Sequence, residues 1–377
     1  MTDILIRNAE VFTPEKVIEG GFVTVKDGRI EEVGEGNSNI QAEKEIDAGG
    51  MILCPGFIEV HIQGCFGYDV WGGKEGLRGI AKSLLKTGTT SFLATTEYQS
   101  KTLGELSDYS AGSEPEADCL GIHLEGPFVS PNKKGALPEF DEIEPNISNI
   151  EKIWKESRGK LRMMTIAPEV PGTLEVISWL VEHGVVASIG HTNASYEEAR
   201  TGIDTGITHS THLANAMKGI SHRDPGALGA VLLASNVTVQ IIADGVHLHP
   251  KFIELAYRMK GFSGITCITD SVGPAGMEDG KFELGGHGGV VYKKDGAVRT
   301  EDGILAGSCL TMDSGVRYLN KNVGIPIREA IETATLTPAS VLGLKDRGVL
   351  SRGAIADILL LSKDVEIQKV IKGGVLV

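Results

Sequence analysis

The sequence predicts an α/β protein, a (β/α)8 barrel of the TIM type carrying a small β-sandwich domain built from both chain termini. Three observations point there. Short apolar runs alternate with amphipathic stretches from about Met51 onward; chemically able polar residues close those runs; and the two ends of the chain have strand character without the intervening helical pattern.

The opening segment reads as short strands, Ile4–Ile6 and Phe22–Val25, followed by a turn at Lys26-Asp27-Gly28-Arg29 and a return over Ile30–Val33. The candidate barrel strands are Met51–Ile62, Thr90–Thr96, Cys119–Glu125, Met163–Ala167, Val185–His191, Ile207–His212, Val237–Asp244 and Gly264–Asp270. Between them lie amphipathic stretches such as Leu77–Leu85 and Leu174–Val181. Eight such βα units fit residues 53–345, and in a barrel of this kind functional groups gather where the strands end. Lys281–Arg299 is rich in glycine and contains Lys294-Asp295-Gly296, which predicts a β-hairpin insert near 280–300 forming a rim or lid. A helical stretch near Arg328–Leu342 follows. The tail, Ala356-Asp357-Ile358-Leu359-Leu360-Leu361 and Val370–Val377, returns to strand character, and its expected partner is the N-terminal segment. The predicted division is therefore 1–52 for the first part of the small domain, 53–345 for the barrel and 346–377 for the second part.

With 377 residues, 41% hydrophobic and 23% charged, the chain has ordinary globular composition and enough apolar content for a large core. No apolar run approaches the roughly 18 to 20 residues that span a bilayer. The start, Met-Thr-Asp-Ile-Leu-Ile-Arg, has no basic segment followed by an apolar stretch, so the expectation is a cytoplasmic protein. Its 5 cysteines, Cys54, Cys65, Cys119, Cys267 and Cys309, are odd in number and never form a C-x-x-C pair, which argues against a disulfide framework or a zinc knot. A net charge of -14 opposes general affinity for nucleic acid or an anionic membrane. An anionic substrate would need local cations.

The polar residues that close the runs are His61, Glu125, His191, His212, Asp244 and Asp270. Glu125, His191 and His212 supply one carboxylate and two imidazoles from three strand ends, a donor set suited to a divalent metal with an open position. Such a centre acidifies water and polarises an amide carbonyl. Asp270 can cap the turn that follows it, as Asp often does. Its place beside the metal set favours a general base instead, taking a proton from attacking water and returning it to the departing amine. His61 and Gln63 sit two apart on the first strand and share a face. A histidine at 63 would complete a metal pair, but an amide is a poor ligand beside imidazole, so His61 joins the ligands only in a two-metal site. The expected cofactor is one divalent ion per subunit, zinc foremost with iron or another divalent ion as alternatives, and two ions as the alternative count.

The segment Asn215-Ala-Met-Lys-Gly-Ile-Ser-His-Arg-Asp-Pro-Gly226 places Lys218, His222 and Arg223 in a loop after the His212 strand. Arg223 is the residue expected to grip an anion, because guanidinium meets phosphate through two parallel hydrogen bonds. Backbone N–H groups around Asn215 and Ala216 can add donors. His247 follows the seventh strand and is a candidate substrate contact, whereas His249 before Pro250 reads as a turn or helix-start residue. His123, His183, His209 and His287 receive no catalytic role.

These residues resemble the N-acetylglucosamine-6-phosphate deacetylases of the amidohydrolase superfamily. The resemblance runs over nearly the whole chain. Its most specific blocks are His123-Leu-Glu-Gly-Pro127, Gly190-His-Thr-Asn-Ala194, Thr211-His-Leu-Ala-Asn-Ala-Met217, His222-Arg-Asp-Pro-Gly226 and Thr269-Asp270. It implies that Glu125, His191 and His212 hold the metal and that Asp270 is the general base and acid. It further implies that Asn215, Ala216, Arg223 and His247 bind the sugar phosphate, with Arg223 and His247 supplied by the neighbouring subunit of a homodimer. Leu305-Ala-Gly-Ser308 resembles the segment beside the N-acetyl group, which makes Leu305 and Ser308 substrate contacts, with Ala136 as another. Two departures stand out: Leu137 where the family often has histidine or glutamine after Lys-x-Gly-Ala, and His61-Ile-Gln63 in place of His-x-His.

The implied reaction is hydrolysis of N-acetylglucosamine 6-phosphate in amino-sugar catabolism. Three alternatives stay open on sequence: the galactosamine 6-phosphate counterpart, a cyclic amidase or aminoacylase sharing the metal set without the phosphate contacts, and a non-catalytic sugar-phosphate binder. No nucleic acid or membrane partner is expected.

Overall fold

Runs of Val, Ile, Leu and Phe without polar alternation suit strands buried on both faces, as parallel strands are. The computed structural model describes residues 2–36, 40–137, 143–285 and 289–377. In it β1 (Phe57–Ile62), β2 (Thr89–Thr96), β3 (Asp118–Glu125), β4 (Leu161–Ile166), β5 (Val186–Ile189), β6 (His209–Ser210), β7 (Thr238–Ile242) and β8 (Ile265–Ile268) lie side by side in that order, each parallel to the next. A helix follows every one: Gly73–Leu84, Ser100–Ser107, Ile147–Glu156, Thr173–Glu182, Tyr196–Thr205, Gly226–Leu233 and Pro250–Lys260 after β1 to β7, and Met312–Tyr318 after β8. Helix starts are written locally. Ser195 and Glu198 form a reciprocal capping box at Tyr196–Thr205. Pro250 opens Pro250–Lys260 while the His249 ring accepts the Lys251 N–H at 3.1 Å, as expected for a helix-start residue. The helices bury apolar faces against the strands: Leu77, Ile80, Phe57 and Phe92 are fully buried, each contributing about 1.5–3 kcal/mol.

The barrel closes at a seam between β8 and β1, where direct strand pairing gives way to other contacts. At the C-terminal end the Asp270 N–H donates to His61 O at 2.9 Å, and in the middle buried Glu59 accepts the N–H groups of His61 at 2.8 Å and Thr269 at 2.9 Å. At the other end the carbonyls of Thr333 and Ala334 accept the N–H groups of Cys267 at 2.9 Å and Ile58 at 2.8 Å. This explains one difference from the sequence expectation. The helical stretch Arg328–Leu342 is two helices, Ile327–Glu332 and Leu336–Val341, because the break frees carbonyls for strand N–H groups that otherwise lack partners.

The run Met51–Ile62 also divides. Ile52–Pro55 pairs with Ile358–Leu361 and with Glu10–Val11 in the terminal sheet, and only Phe57–Ile62 enters the barrel. Gly56 is the pivot, where a Cβ would collide with the Thr90 side chain. The terminal sheet runs Val375–Leu376, Ile367–Lys372, Ile358–Leu361, Ile52–Pro55, Thr2–Phe12, Val17–Lys26, Arg29–Gly34, so both chain ends complete one unit as expected. Thr2–Phe12 branches it, pairing with Ala42–Asp47 along its first half and with Ile52–Pro55 along its second. Ile6, Val23, Leu53, Ile358 and Leu360 pack together as its apolar centre. Lys372 ties this unit to β3 through Asp118 at 2.7 Å.

The predicted hairpin near 280–300 is larger than expected, a four-stranded antiparallel sheet of Gly280–Leu284, Gly289–Lys294, Ala297–Thr300 and Leu305–Ser308. Buried Val291, Val298 and Ala306 give it a small apolar layer of its own, packed on Val272 just past Asp270. His287 lies outside the described residues. Among the described residues, no helix is long and apolar enough to cross a membrane.

Candidate active site

Three of the residues that close the runs, His191, His212 and Asp270, each stand two positions past a strand end, after β5, β6 and β8. All three have left-handed backbone, with φ of 46°, 24° and 50°. Such φ values cost a non-glycine residue of order 1–3 kcal/mol and cluster where function needs a side chain re-aimed. Here they turn the side chains inward over the barrel mouth. Glu125 needs no such turn because it is the last residue of β3.

The Nε2 atoms of His191 and His212 stand 3.1 and 3.0 Å from Glu125 Oε1 and 3.0 Å from each other. One ligand atom from each residue falls within 4.8 Å of the others, a buried cluster that can hold a metal ion. A chemical test supports the fit. His191 Nδ1 lies 2.9 Å from Lys133 O, which can only accept, so that nitrogen carries the proton. In the neutral ring Nε2 then presents a lone pair to a carboxylate oxygen, an opposition that a cation between them resolves. The backbone carbonyl on the far nitrogen is also the usual orienting partner of a metal-binding imidazole.

Gln63, the departure noted in the sequence, donates its amide N–H to Glu125 Oε2 at 2.9 Å. It occupies the second carboxylate oxygen and leaves Oε1 to the two imidazoles. His61 Nε2 stands 3.2 Å from Asp270 Oδ1 and 3.6 Å from Glu125 Oε2. Its Nδ1 meets Gln240 Oε1 at 3.0 Å, and the same oxygen accepts the His212 backbone N–H at 3.1 Å. Burial pushes the Glu125 carboxyl up, but the facing His61 charge opposes it, and Glu125 is held well below the usual carboxylate range. Asp270 Oδ1 thus shares the floor with the cluster through His61, and its backbone carbonyl accepts the Ser308 N–H at 2.7 Å.

Gln63, Glu125, His191, His212 and Asp270 form the floor of a cavity of about 370 Å3, the size of a small-ligand site. Asn215, Ala216, His247, Ala136 and Leu305 stand on its wall, as does Leu137. His247 lies on the wall of this chain's own cavity. Its loop is folded inward by Asp244, whose Oδ1 accepts the N–H groups of Val246 at 2.8 Å and His247 at 2.9 Å and whose Oδ2 holds the ring Nδ1 at 2.7 Å. Ser308 is not brought to the wall: it is fully buried, and its hydroxyl donates to Thr269 O at 2.5 Å. Arg223 is exposed in the loop past His212 and is also off the wall. His123, between Val60 O at 3.1 Å and Thr165 Oγ1 at 2.8 Å, lies inside the barrel.

The wall also holds residues that sequence reasoning passed over: Trp71, whose ring N–H donates to Glu97 Oε2 at 3.1 Å, and Arg299, Thr300 and Ile304 from the rim sheet. Of these only Arg299 carried a readable signal, as a cation in the segment already read as a rim.

A barrel mouth with a carboxylate and two imidazoles converging beside a second carboxylate defines a hydrolase of the amidohydrolase type, and the model of the Amidohydrolase family matches residues 52–377. An N-acetylglucosamine-6-phosphate deacetylase of Lysinibacillus sphaericus is 35% identical, with 98% of this chain and 97% of that protein covered. The deacetylase of Bacillus subtilis is 36% identical, covering 97% and 94%. Among solved structures, a mutant N-acetyl-D-glucosamine-6-phosphate deacetylase from Mycobacterium smegmatis in complex with N-acetyl-D-glucosamine-6-phosphate superposes with a TM-score of 0.92 at 30% identity, covering 100% of this chain and 99% of the other. The chain belongs to the amidohydrolase family and, within it, to the N-acetylglucosamine-6-phosphate deacetylases.

Proposed function

We propose that this chain hydrolyses the acetamide of N-acetylglucosamine 6-phosphate to glucosamine 6-phosphate and acetate. The observation that carries the reading is the convergence of Glu125, His191 and His212 within 4.8 Å on the cavity floor, with Asp270 3.2 Å from the adjoining His61. Glu125 Oε1 and the Nε2 atoms of His191 and His212 would hold one divalent metal, with zinc favoured by a mixed nitrogen and oxygen donor set. When bound, such an ion supplies Lewis acidity toward the amide carbonyl and lowers the pKa of water.

The chain's own residues do the rest. Asp270 takes a proton from the attacking water at a carboxylate oxygen and delivers it to the amine nitrogen as the C–N bond breaks. His61 fixes the Asp270 carboxylate, and Gln63 fixes Glu125 with one oxygen toward the imidazoles, which favours a single-metal site. Asn215, the backbone of Ala216 and His247 receive the phosphate end, while Ala136 and Leu305 flank the acetyl group. Arg223, off the wall of its own cavity, fits a role in the neighbouring cavity of a homodimer. A phosphorylated sugar does not cross membranes unaided, which supports a cytoplasmic setting.

The test is acetate release from N-acetylglucosamine with and without the 6-phosphate, before and after thorough chelation. Turnover should require the metal and favour the phosphorylated sugar. Full activity after verified metal removal would overturn the mechanism, and equal turnover of the two sugars would overturn the substrate.

A further inference from the structure

A sugar phosphate carries up to two negative charges into a cavity whose floor already holds two carboxylates, Glu125 and Asp270. The anion therefore needs cations on the wall. Arg223 does not stand on the described wall; Arg299 does, and among the described residues it is the only lysine or arginine there. It projects from the rim strand Ala297–Thr300, where Nη1 donates to Gly303 O at 3.0 Å. Among the described residues no carboxylate stands within ion-pair distance of it. One edge of the guanidinium is thereby anchored, and its remaining N–H donors are left in a planar fork of the kind that fits two phosphate oxygens. His247 stands on the wall of the same cavity, so the two side chains address a common space.

We propose that Arg299 is a phosphate contact supplied by the same subunit, a specificity-determining residue through which the rim sheet selects the 6-phosphorylated sugar. The inference rests on the deacetylase reading above and deepens it. The phosphate would lie between donors fixed to the barrel, at Asn215, Ala216 and His247, and one guanidinium fixed to the rim. Arg223 then has no need to be the sole guanidinium for the substrate.

Steady-state kinetics on N-acetylglucosamine with and without the 6-phosphate test this in the wild type, Arg299→Gln and Arg299→Lys. The preference for the phosphorylated sugar, as a ratio of kcat/KM values, should fall about 10- to 100-fold in Arg299→Gln, mainly through KM for the phosphorylated sugar. Arg299→Lys should fall between, because it keeps the charge and loses the fork. An equal loss on both sugars would mean that Arg299 only braces the rim through Gly303, and would overturn the proposal. So would an unchanged ratio. Calorimetric binding of inorganic phosphate provides an arm that needs no turnover: the wild type should bind it more tightly than Arg299→Gln, and equal affinities overturn the proposal. Failure of the wild type to release acetate, with phosphate binding still dependent on Arg299, would overturn the deacetylase reading alone.

Discussion

The floor of the cavity and its rim are built on opposite principles. On the floor, side chains from parallel strand ends are buried and fastened from several sides: Gln240 Oε1 alone accepts from both His61 and His212, and Glu125 meets Gln63, His191 and His212. On the rim, an antiparallel sheet with a thin apolar layer leaves Tyr292 39% and Ile304 48% exposed, and Arg299 is held by a single backbone carbonyl. Chemistry needs groups fixed to a fraction of an ångström, which packed strand ends provide. Recognition tolerates more freedom, and an inserted sheet can change without disturbing the barrel. Changes on the floor should therefore strike turnover or metal retention, and changes at the rim should strike substrate preference.

Asp270→Asn is the most severe way to break this contrast. The amide keeps the shape and can still meet His61 Nε2, but it cannot accept a proton from water. Turnover should fall by about 10²- to 10⁴-fold, with metal content per subunit unchanged. The pairing of kcat with metal analysis is the check. Near-normal turnover would remove Asp270 from proton transfer, and lost metal would make it a ligand.

Gln63 offers the next largest effect on the same floor. Its amide holds Glu125 Oε2 at 2.9 Å, so Gln63→Leu should leave the carboxylate free to rotate and weaken metal affinity by about 10- to 100-fold. Competition with a chelator of known affinity measures this. An unchanged metal affinity would show that the imidazoles alone orient the site, and that the floor is less tightly specified than its contacts suggest.

Much of the floor was readable in the sequence because strands buried on both faces write uninterrupted apolar runs, and the polar residues ending them stand out. The pairing of both termini in one sheet followed from the same patterns. What stayed hidden depends on contacts between distant segments. Nothing local announces that Gly56 divides Met51–Ile62 between two sheets, or that Arg328–Leu342 must break to satisfy Ile58 and Cys267. Gln63 was visible as an odd residue, but its bond to Glu125 is made across the barrel. Trp71 and Glu97 come from connections with no period, and only the fold brings them to one wall. The left-handed turns at His191, His212 and Asp270 were equally silent, since sequence signals such φ values through glycine.

The mildest effect should couple rim to floor. Burial pushes the His247 ring down, but the hydrogen bond and charge of Asp244, with the charge of Asp270 behind them, outweigh both burial and the opposing charge of Arg299 and leave it above the ordinary histidine value. A raised value means that the cationic ring is present at lower pH and is lost as pH rises through that value. As pH rises through the raised His247 value, KM for the phosphorylated sugar should rise by up to about tenfold, the worth of one charge-assisted contact, while KM for the unphosphorylated sugar stays flat. His247→Gln should abolish that slope, and its persistence would assign the titration elsewhere. Arg299→Gln should keep the slope and move its midpoint to higher pH, because it removes the positive charge that opposes protonation of His247. An unmoved midpoint would mean that rim and floor bind the anion as electrostatically separate halves.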